Sequence, residues 1–220
     1  MSALLPALEI DPPGEITGSV IWLHGLGADG HDFEPLVPLL PLAQLGVRVV
    51  LPHAPSLPVT INGGFVMPAW YDIRDGDLVD RHDEAGIRAS AAQVEAWLAH
   101  EKTLVPAERI ALVGFSQGGA MALHTGLRHA ERLAGIAALS CYLLLEETVE
   151  EERSEANAQT PIFQAHGALD AVVDPARGEA ARDRLVELGY PHEWHTYPMG
   201  HQVCEPEIVD LARWFLARFQ

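Results

Sequence analysis

Short apolar runs alternate along this chain with longer segments in which apolar residues return every three or four positions. A short apolar run predicts a buried strand, and the longer spacing predicts an amphipathic helix. The predicted strands are 19–23, 47–51, 109–114, 133–139, 161–166 and 192–197. The predicted helices lie within 33–44, over 84–104, directly after 116, over 175–188 and near the end of the chain. This alternation predicts an α/β fold with a mainly parallel central sheet and helices on both faces.

Three segments need an interpretation beyond the alternation of strands and helices. The last predicted helix carries one apolar stripe, which predicts packing on the core; its members are Ile208, Leu211, Phe215, Leu216 and Phe219. Residues 53–82 are rich in glycine and proline and are predicted to form a long irregular loop, a kind of segment that is usually functional. The acidic run 146–155 is predicted to be a solvated surface loop.

Length and composition restrict the class of protein. A chain of 220 residues with 48% hydrophobic and 20% charged residues suits one globular domain, expected over 1–220 without a large lid domain. The formal net charge of −17 argues against binding of nucleic acid, which depends on lysine and arginine. It also argues against lasting contact with anionic lipid surfaces.

The same inventory bears on where the protein works. No apolar run reaches the ~20 residues of a membrane span, and residues 1–9 lack the pattern of a signal peptide. We therefore expect a cytoplasmic protein without stable membrane insertion. Cys141 and Cys204 are expected to be reduced thiols in that compartment.

The clearest chemical signal is Gly114-Phe-Ser116-Gln-Gly118, which stands between a predicted strand and a predicted helix. This order is that of a nucleophile elbow, in which a buried strand turns sharply into a helix and raises one hydroxyl above the sheet edge. Glycine at 114 and 118 lets the strand and the helix pack closely, because a side chain there would clash. We therefore expect Ser116 to be a nucleophile. The alternative is a glycine-rich turn with an idle serine.

A serine nucleophile needs a base, normally a histidine that a carboxylate holds in place. In an α/β-hydrolase the acid and then the histidine follow the serine. Asp170 lies nearer the end of a predicted strand, whereas Asp174 precedes a proline that opens a helix and is expected to cap it. His192 and His195 lie within the next predicted strand, and His201 lies in the loop after it. Asp170 and His201 are therefore the predicted acid and base.

The oxyanion formed in acyl transfer needs backbone N–H donors. One donor is expected from Gln117, the residue after the nucleophile. The other is expected from the glycine-rich turn after strand 19–23, where Leu26 is the best candidate; a plain glycine turn is the alternative. Histidines at 24, 31, 53 and 82 lack the spacing of zinc ligands, so neither a metal nor a cofactor is expected.

Several motifs together resemble those of a known family over nearly the whole chain. They are His24-Gly-Leu-Gly-Ala-Asp-Gly30, Met67-Pro-Ala-Trp-Tyr-Asp-Ile73, Gly114-Phe-Ser-Gln-Gly-Gly119, His166-Gly-Ala-Leu-Asp170 and Gly200-His201. In this order the chain resembles the small single-domain α/β-hydrolases grouped as carboxylesterases, lysophospholipases and acyl-protein thioesterases. The resemblance implies an α/β-hydrolase fold, with Ser116, Asp170 and His201 on the triad positions. It also implies that Leu26 and Gln117 form the oxyanion hole.

These residues predict a serine carboxylesterase that hydrolyses short- to medium-chain carboxylic esters through an acyl-enzyme on Ser116. The alternatives are an acyl-protein thioesterase or a lysophospholipase with the same triad, acting on an acylated protein or a lysophospholipid. A more distant alternative is a binding module of the same fold without catalysis. A small-molecule ester is the expected partner, and the resemblance leaves a homodimer open.

The acyl-binding wall is predicted mainly in the 53–70 loop. The apolar residues proposed for it are Leu57, Ile61, Phe65 and Met67, together with Tyr142 and Leu143. An ordinary core position is an equally good interpretation for each of them.

Overall fold

A seven-stranded sheet runs through the described part of the chain, residues 4–74 and 83–220 of a computed structural model. The strands are numbered in chain order: β1 (Ala7–Ile10), β2 (Gly18–Leu23), β3 (Val47–Pro52), β4 (Ser56–Val59), β5 (Phe65–Pro68), β6 (Ile110–Phe115), β7 (Gly135–Leu139), β8 (Ile162–Gly167) and β9 (His192–Tyr197). The order across the sheet is β1-β3-β2-β6-β7-β8-β9, and β4 and β5 form a separate two-stranded sheet. Apart from β1, neighbouring strands of the large sheet are parallel. The predicted mainly parallel sheet is thus confirmed.

Strand β1 pairs antiparallel with β3 at one edge and was absent from the predicted elements. It has only four residues, and its burial does not alternate cleanly. Arg48 on β3 ties the edge together, because its largely buried guanidinium contacts Glu9, Asp11 and the buried carboxylate of Glu101. This contact set between distant segments leaves no local sequence signal.

Among the residues that the structure describes, five α-helices cover the two faces of the sheet. They are α1 (Glu84–Glu101), α2 (Gln117–Arg128), α3 (Glu146–Glu152), α4 (Pro175–Glu187) and α5 (Glu205–Phe219). Residues Ile21 and Leu23 of β2 pack in the core beneath α1 to α4. Val20 and Trp22 point to the other face, beneath α5. Such alternation is what a strand buried on both faces requires. The predicted helical stripe on α5 is buried, except for the partly exposed Leu216.

The helix predicted within 33–44 is wrong in type. The structure has 3₁₀ segments over Gly30–Asp32 and Glu34–Leu39 instead of an α-helix. Pro35, Pro38 and Pro41 recur every third residue. Each lacks an N–H and clashes with the carbonyl one turn earlier, so an α-helix cannot continue.

The segment 53–82, predicted to be irregular, contains the β4–β5 hairpin. Its turn includes Gly63 and Gly64 at φ 66° and 79°, which glycine adopts without strain. A Gly-Gly pair between two apolar runs is a hairpin signal. An irregular loop was predicted instead because prolines are also frequent in this segment. Residues 75–82 of this segment, including His82, lie outside the described residues.

The acidic run 146–155 was predicted to be a loop, but most of it forms α3. Val149, within α3, is buried. Arg88 and Arg128 both bind the carboxylate of Glu152, at 2.7 and 2.6 Å, and hold its pKa down to about 2. Arginines from α1 and α2 therefore offset the repulsion that the sequence pattern implied.

Among the residues that the structure describes, no helix is long and apolar enough to cross a membrane. Cys141 and Cys204 are both free thiols, and burial raises the pKa of Cys141.

Candidate active site

Ser116 stands at the turn between β6 and α2 with φ 55° and ψ −122°. A non-glycine residue rarely adopts a positive φ, and at this position the strain is that of a nucleophile elbow. A Cβ added at Gly114 would overlap the Gly118 carbonyl, and one added at Gly118 would overlap the Leu23 carbonyl. The two glycines therefore allow the close packing that the motif predicted.

Three side chains named from the sequence form one hydrogen-bonded series. His201 Nε2 lies 2.9 Å from Ser116 Oγ, and His201 Nδ1 lies 2.7 Å from Asp170 Oδ2. In this arrangement Nδ1–H donates to the carboxylate and Nε2 is free to accept from the serine hydroxyl. The three residues follow the carboxyl ends of β6, β8 and β9, which meet at one edge of the parallel sheet.

The Asp170 carboxylate is fixed from its other side. Its Oδ1 accepts hydrogen bonds from the backbone N–H groups of Val172 and Val173, both at 2.9 Å. The competing Asp174 caps α4 by accepting from Ala176 N–H at 2.9 Å. The structure therefore brings Asp170, and not Asp174, to the histidine.

The other late histidines lie apart from the serine. His192 Nε2 is 2.9 Å from Gln164 Oε1, and His195 stacks on the ring of Phe163 at 4.9 Å between centroids. Both are packing residues of β9.

Leu26 and Gln117, the predicted oxyanion donors, line the same cavity as Ser116. Within residues 4–74 and 83–220, neither of their backbone N–H groups donates to another protein group. The turn of Leu26 is braced by His24, whose Nδ1 lies 2.7 Å from Gly25 O and whose Nε2 accepts from Ala54 N–H at 3.0 Å. Burial lowers the pKa of His24, which keeps the ring neutral and suited to one donor and one acceptor.

The Gln117 side chain makes a clamp that the sequence did not reveal. Its Oε1 accepts from Trp70 N–H and its Nε2 donates to Tyr71 O, both at 2.8 Å. Trp70 Nε1–H in turn donates to His24 O at 2.9 Å. The segment after β5 is thereby fixed to both the elbow and the turn of Leu26. The only sequence signal was an amide side chain directly after Ser116.

A cavity of about 350 Å³ opens above Ser116, at the low end of the ~300–1,000 Å³ usual for small-molecule sites. Its walls are largely apolar side chains, together with the turn of Gly25 and Leu26. The lining residues are Gly25, Leu26, Ala28, Asp32, Ile61, Asn62, Ile73, Phe115, Ser116, Gln117, Tyr142, Val172, Val173 and His201. Such a cavity suits an acyl chain, with the ester or thioester carbonyl at the serine.

Of the residues proposed from the sequence for the acyl wall, Ile61 and Tyr142 line this cavity, whereas Leu57, Phe65, Met67 and Leu143 do not. Phe65 is 69% exposed on β5, because the hairpin turns it to solvent. Leu143 is buried in the core beneath the helices, and Leu57 is half-buried within the hairpin. Their places depend on the path of two loops, which an apolar sequence pattern does not specify.

Apart from Ile61, the apolar residues that line the cavity with Tyr142 were not proposed for the acyl wall. Ile61 lies in the hairpin turn, Ile73 follows β5, and Phe115 precedes the serine. Val172 and Val173 belong to the loop that carries Asp170. The two valines had a usable signal, because they come two and three residues after the predicted acid.

Within the described ranges, no three His, Cys, Asp or Glu side chains converge as they would around a metal ion. The rings of His31 and His53 are tilted to each other with their centroids 5.6 Å apart, and His53 Nδ1 accepts from Gly30 N–H.

Comparison with known proteins gives a family match over most of the chain. Residues 9–218 match the model of the family described as Phospholipase/Carboxylesterase. Acyl-protein thioesterase 1 of Neurospora crassa is 44% identical over 214 residues, which cover 92% of this chain and 87% of that protein. In crystal structures, a variant of SOBER1 from Arabidopsis thaliana has a TM-score of 0.86 at 30% identity, covering 92% of this chain and all of that one. Zea mays acyl-protein thioesterase 2 has a TM-score of 0.85 at 28% identity, with 98% and 100% covered.

Proposed function

This chain belongs to the phospholipase/carboxylesterase family of α/β-hydrolases, serine hydrolases that act on esters and thioesters, and we propose that it is an acyl-protein thioesterase. The observation that carries the proposal is the series Asp170–His201–Ser116, at 2.7 and 2.9 Å, beneath an apolar cavity. The names of the similar proteins support the thioester as substrate. The main prediction from the sequence, a short- to medium-chain carboxylesterase, is supported only as far as ester or thioester hydrolysis. Its stated alternative has the better support.

In the proposed mechanism His201 Nε2 takes the proton from Ser116 Oγ, which attacks the thioester carbonyl. The C–O bond forms as the carbonyl π electrons move to oxygen. The N–H groups of Leu26 and Gln117 bind that oxyanion, a stabilisation worth about 3 kcal/mol per donor. The tetrahedral intermediate then expels the cysteine sulfur, which takes the proton from His201 Nε2.

Deacylation repeats these steps with water. His201 removes a proton from the water molecule, which attacks the acyl-enzyme, and Ser116 Oγ takes the proton back as the carboxylic acid leaves. The Asp170 carboxylate keeps the His201 Nδ1–H in place throughout and stabilises the imidazolium. Its Oδ1 is already occupied by two backbone donors, so the carboxylate cannot rotate away from the histidine.

The proposed partner is an acylated protein whose lipid chain enters the cavity. The apolar wall of Ile61, Ile73, Val172 and Val173 suits a hydrocarbon chain. The cysteine-bearing peptide stays outside, because about 350 Å³ holds an acyl chain and not a folded segment.

The test uses two peptides of one sequence, one acylated on cysteine and the other on serine, with the same acyl group. Rates are expressed relative to uncatalysed hydrolysis of each peptide, so that the intrinsic reactivity of the thioester is removed. We expect the enzyme to favour the acyl-cysteine peptide by about tenfold or more, equivalent to ~1.4 kcal/mol of transition-state stabilisation. Equal or greater acceleration for the acyl-serine peptide would instead establish a carboxylesterase.

Ser116→Ala is measured alongside, and Ser154→Ala, in a loop distant from the cavity, serves as the matched control. The first variant should lose activity by roughly 10⁴-fold or more and should no longer be labelled by a fluorophosphonate. The control should keep both. Turnover retained by Ser116→Ala with native circular dichroism would eliminate Ser116 as the nucleophile.

A further inference from the structure

Tyr142 is the most deeply placed aromatic residue of the acyl cavity. It lines the cavity together with Ser116 and Val173, yet only 4% of its surface is exposed. Its backbone follows Ser140, which has a φ of 47° and donates its N–H to Ala165 O. The ring is therefore a buried part of the cavity wall, close in the chain to a constrained backbone.

The Tyr142 ring is held from behind by two groups. Its hydroxyl lies 2.7 Å from the hydroxyl of Tyr71, in a fully buried contact. Arg177 lies on α4, and its guanidinium carbon is 4.7 Å from the centroid of the Tyr142 ring. Burial raises the pKa of both tyrosines, that of Tyr142 to about 12, so both hydroxyls stay protonated and one donates to the other.

Tyr71 does not line the cavity, but it is fixed to the nucleophile. Its carbonyl accepts from Gln117 Nε2 at 2.8 Å, and Gln117 is the residue directly after Ser116. Its ring is 2% exposed. The position of the Tyr142 ring is thus fixed relative to the serine through one hydrogen bond to Tyr71 and one from Gln117.

We propose that Tyr71 is a positioning residue that limits acyl-chain length, because its hydroxyl holds the Tyr142 ring across the inner end of the cavity. This inference rests on the proposed function, since it assigns the cavity to the acyl chain. Without the hydroxyl pair, the ring keeps only its stacking on Arg177 and can turn aside. Longer acyl chains then gain the space that the ring had filled.

Tyr71→Phe removes the hydroxyl and keeps the buried ring. The readout compares two peptides of one sequence, one carrying a dodecanoyl group on cysteine and the other a butanoyl group. It is the ratio of kcat/KM for the dodecanoyl peptide to kcat/KM for the butanoyl peptide. We expect the ratio to rise about fivefold, since loss of one hydrogen bond shifts an equilibrium by roughly this factor. The change should lie in KM of the long substrate, because the chain is bound before the chemical step. Tyr190→Phe changes a buried tyrosine that follows α4 and does not line the cavity; it is the matched control and should leave the ratio unchanged.

Tyr142→Phe breaks the same hydrogen bond from the cavity side and protects the test against misfolding of the first variant. Both single variants should raise the ratio by a similar factor, and the double variant should not exceed either, because only one bond is lost. A ratio unchanged in both single variants, or additive effects in the double variant, would overturn the proposal. A wild-type enzyme silent on every acyl-cysteine and acyl-serine peptide would contradict the proposed function instead.

Discussion

Asp170 accepts three hydrogen bonds, two from backbone N–H groups on Oδ1 and one from His201 on Oδ2. All three groups around this carboxylate are hydrogen-bond donors. An ionised carboxylate, which only accepts hydrogen bonds, therefore suits this position. The competing Asp174 shows the ordinary alternative for a short acidic residue, a helix cap. The difference between the two was visible in the sequence, since Pro175 marks the helix start and Asp170 follows the strand end more closely.

Asp170→Asn is expected to fold and to lose activity. The Asn oxygen can keep the two backbone donors, which forces its NH₂ group toward His201 Nδ1–H, donor against donor. The ring then takes the other tautomer, with its proton on Nε2, and cannot accept from Ser116. We expect kcat to fall by roughly 10⁴-fold with little loss of stability. Steady-state kinetics and thermal unfolding check this, and Asp174→Asn should leave kcat near wild type.

Residues whose role depends on loop paths could not be predicted in this way. Gln117 and Tyr71 act through contacts with each other's segments, 46 residues apart in the chain. Phe65 and Ile61 were indistinguishable as apolar loop residues, yet one faces solvent and the other faces the cavity. The convergence of Ser116, Asp170 and His201 was predictable because their order along the chain follows from a parallel sheet, whereas the cavity wall depends on the path of a hairpin turn.

At the scale of elements, periodicity predicted the core of the fold and failed where local chemistry opposed it. Strands β2, β3, β6, β7, β8 and β9 lie within two residues of their predicted bounds, because each is a buried apolar or β-prone run. Prolines spaced by three converted a predicted helix into 3₁₀ turns. An acidic run predicted to be a loop forms a helix, because arginines from neighbouring helices pair with Glu152. Both outcomes depend on residue chemistry that a hydrophobic pattern does not represent.

Helix α5 offers a pH test, because Glu207 in its first turn is fully buried. Its Oε2 accepts from Cys204 N–H at 3.4 Å, and burial raises its pKa to about 8. The unfolded chain releases this proton near pH 4.3. Between these two values the native state binds more protons than the unfolded state, so the free energy of unfolding falls as the pH rises.

Glu207→Gln removes the titrating carboxyl group. The variant should therefore lack the pH-dependent fall in the free energy of unfolding that Glu207 causes. The stability of the variant relative to wild type should increase between pH 5 and pH 8 by on the order of 3 kcal/mol, measured by urea unfolding. Glu205→Gln, exposed in the same turn, is the control and should show no such trend. A difference between Glu207→Gln and wild type that is constant over this pH range would show that Glu207 is ionised in the folded protein.

At the scale of the whole molecule, the net charge of −17 sets a long-range field. A field of one sign attracts substrates of the opposite sign and is screened beyond about 10 Å at 0.1 M salt. We expect kcat/KM for an acyl-cysteine peptide with flanking lysines to fall severalfold as salt is raised, and that for its glutamate-flanked counterpart to rise. Initial rates over a salt series test this. Equal salt dependence for the two peptides would show that the field does not reach the site.

Strand β1 has a consequence for the protein at high concentration. Without it, β3 would offer a free row of backbone groups along residues 49–52, an apolar segment of the kind that templates pairing between molecules. Strand β1 satisfies these groups within one molecule. Its own outer edge is only four residues long, too short to seed an extended ladder. The short first strand therefore protects the sheet against fibre-like self-association.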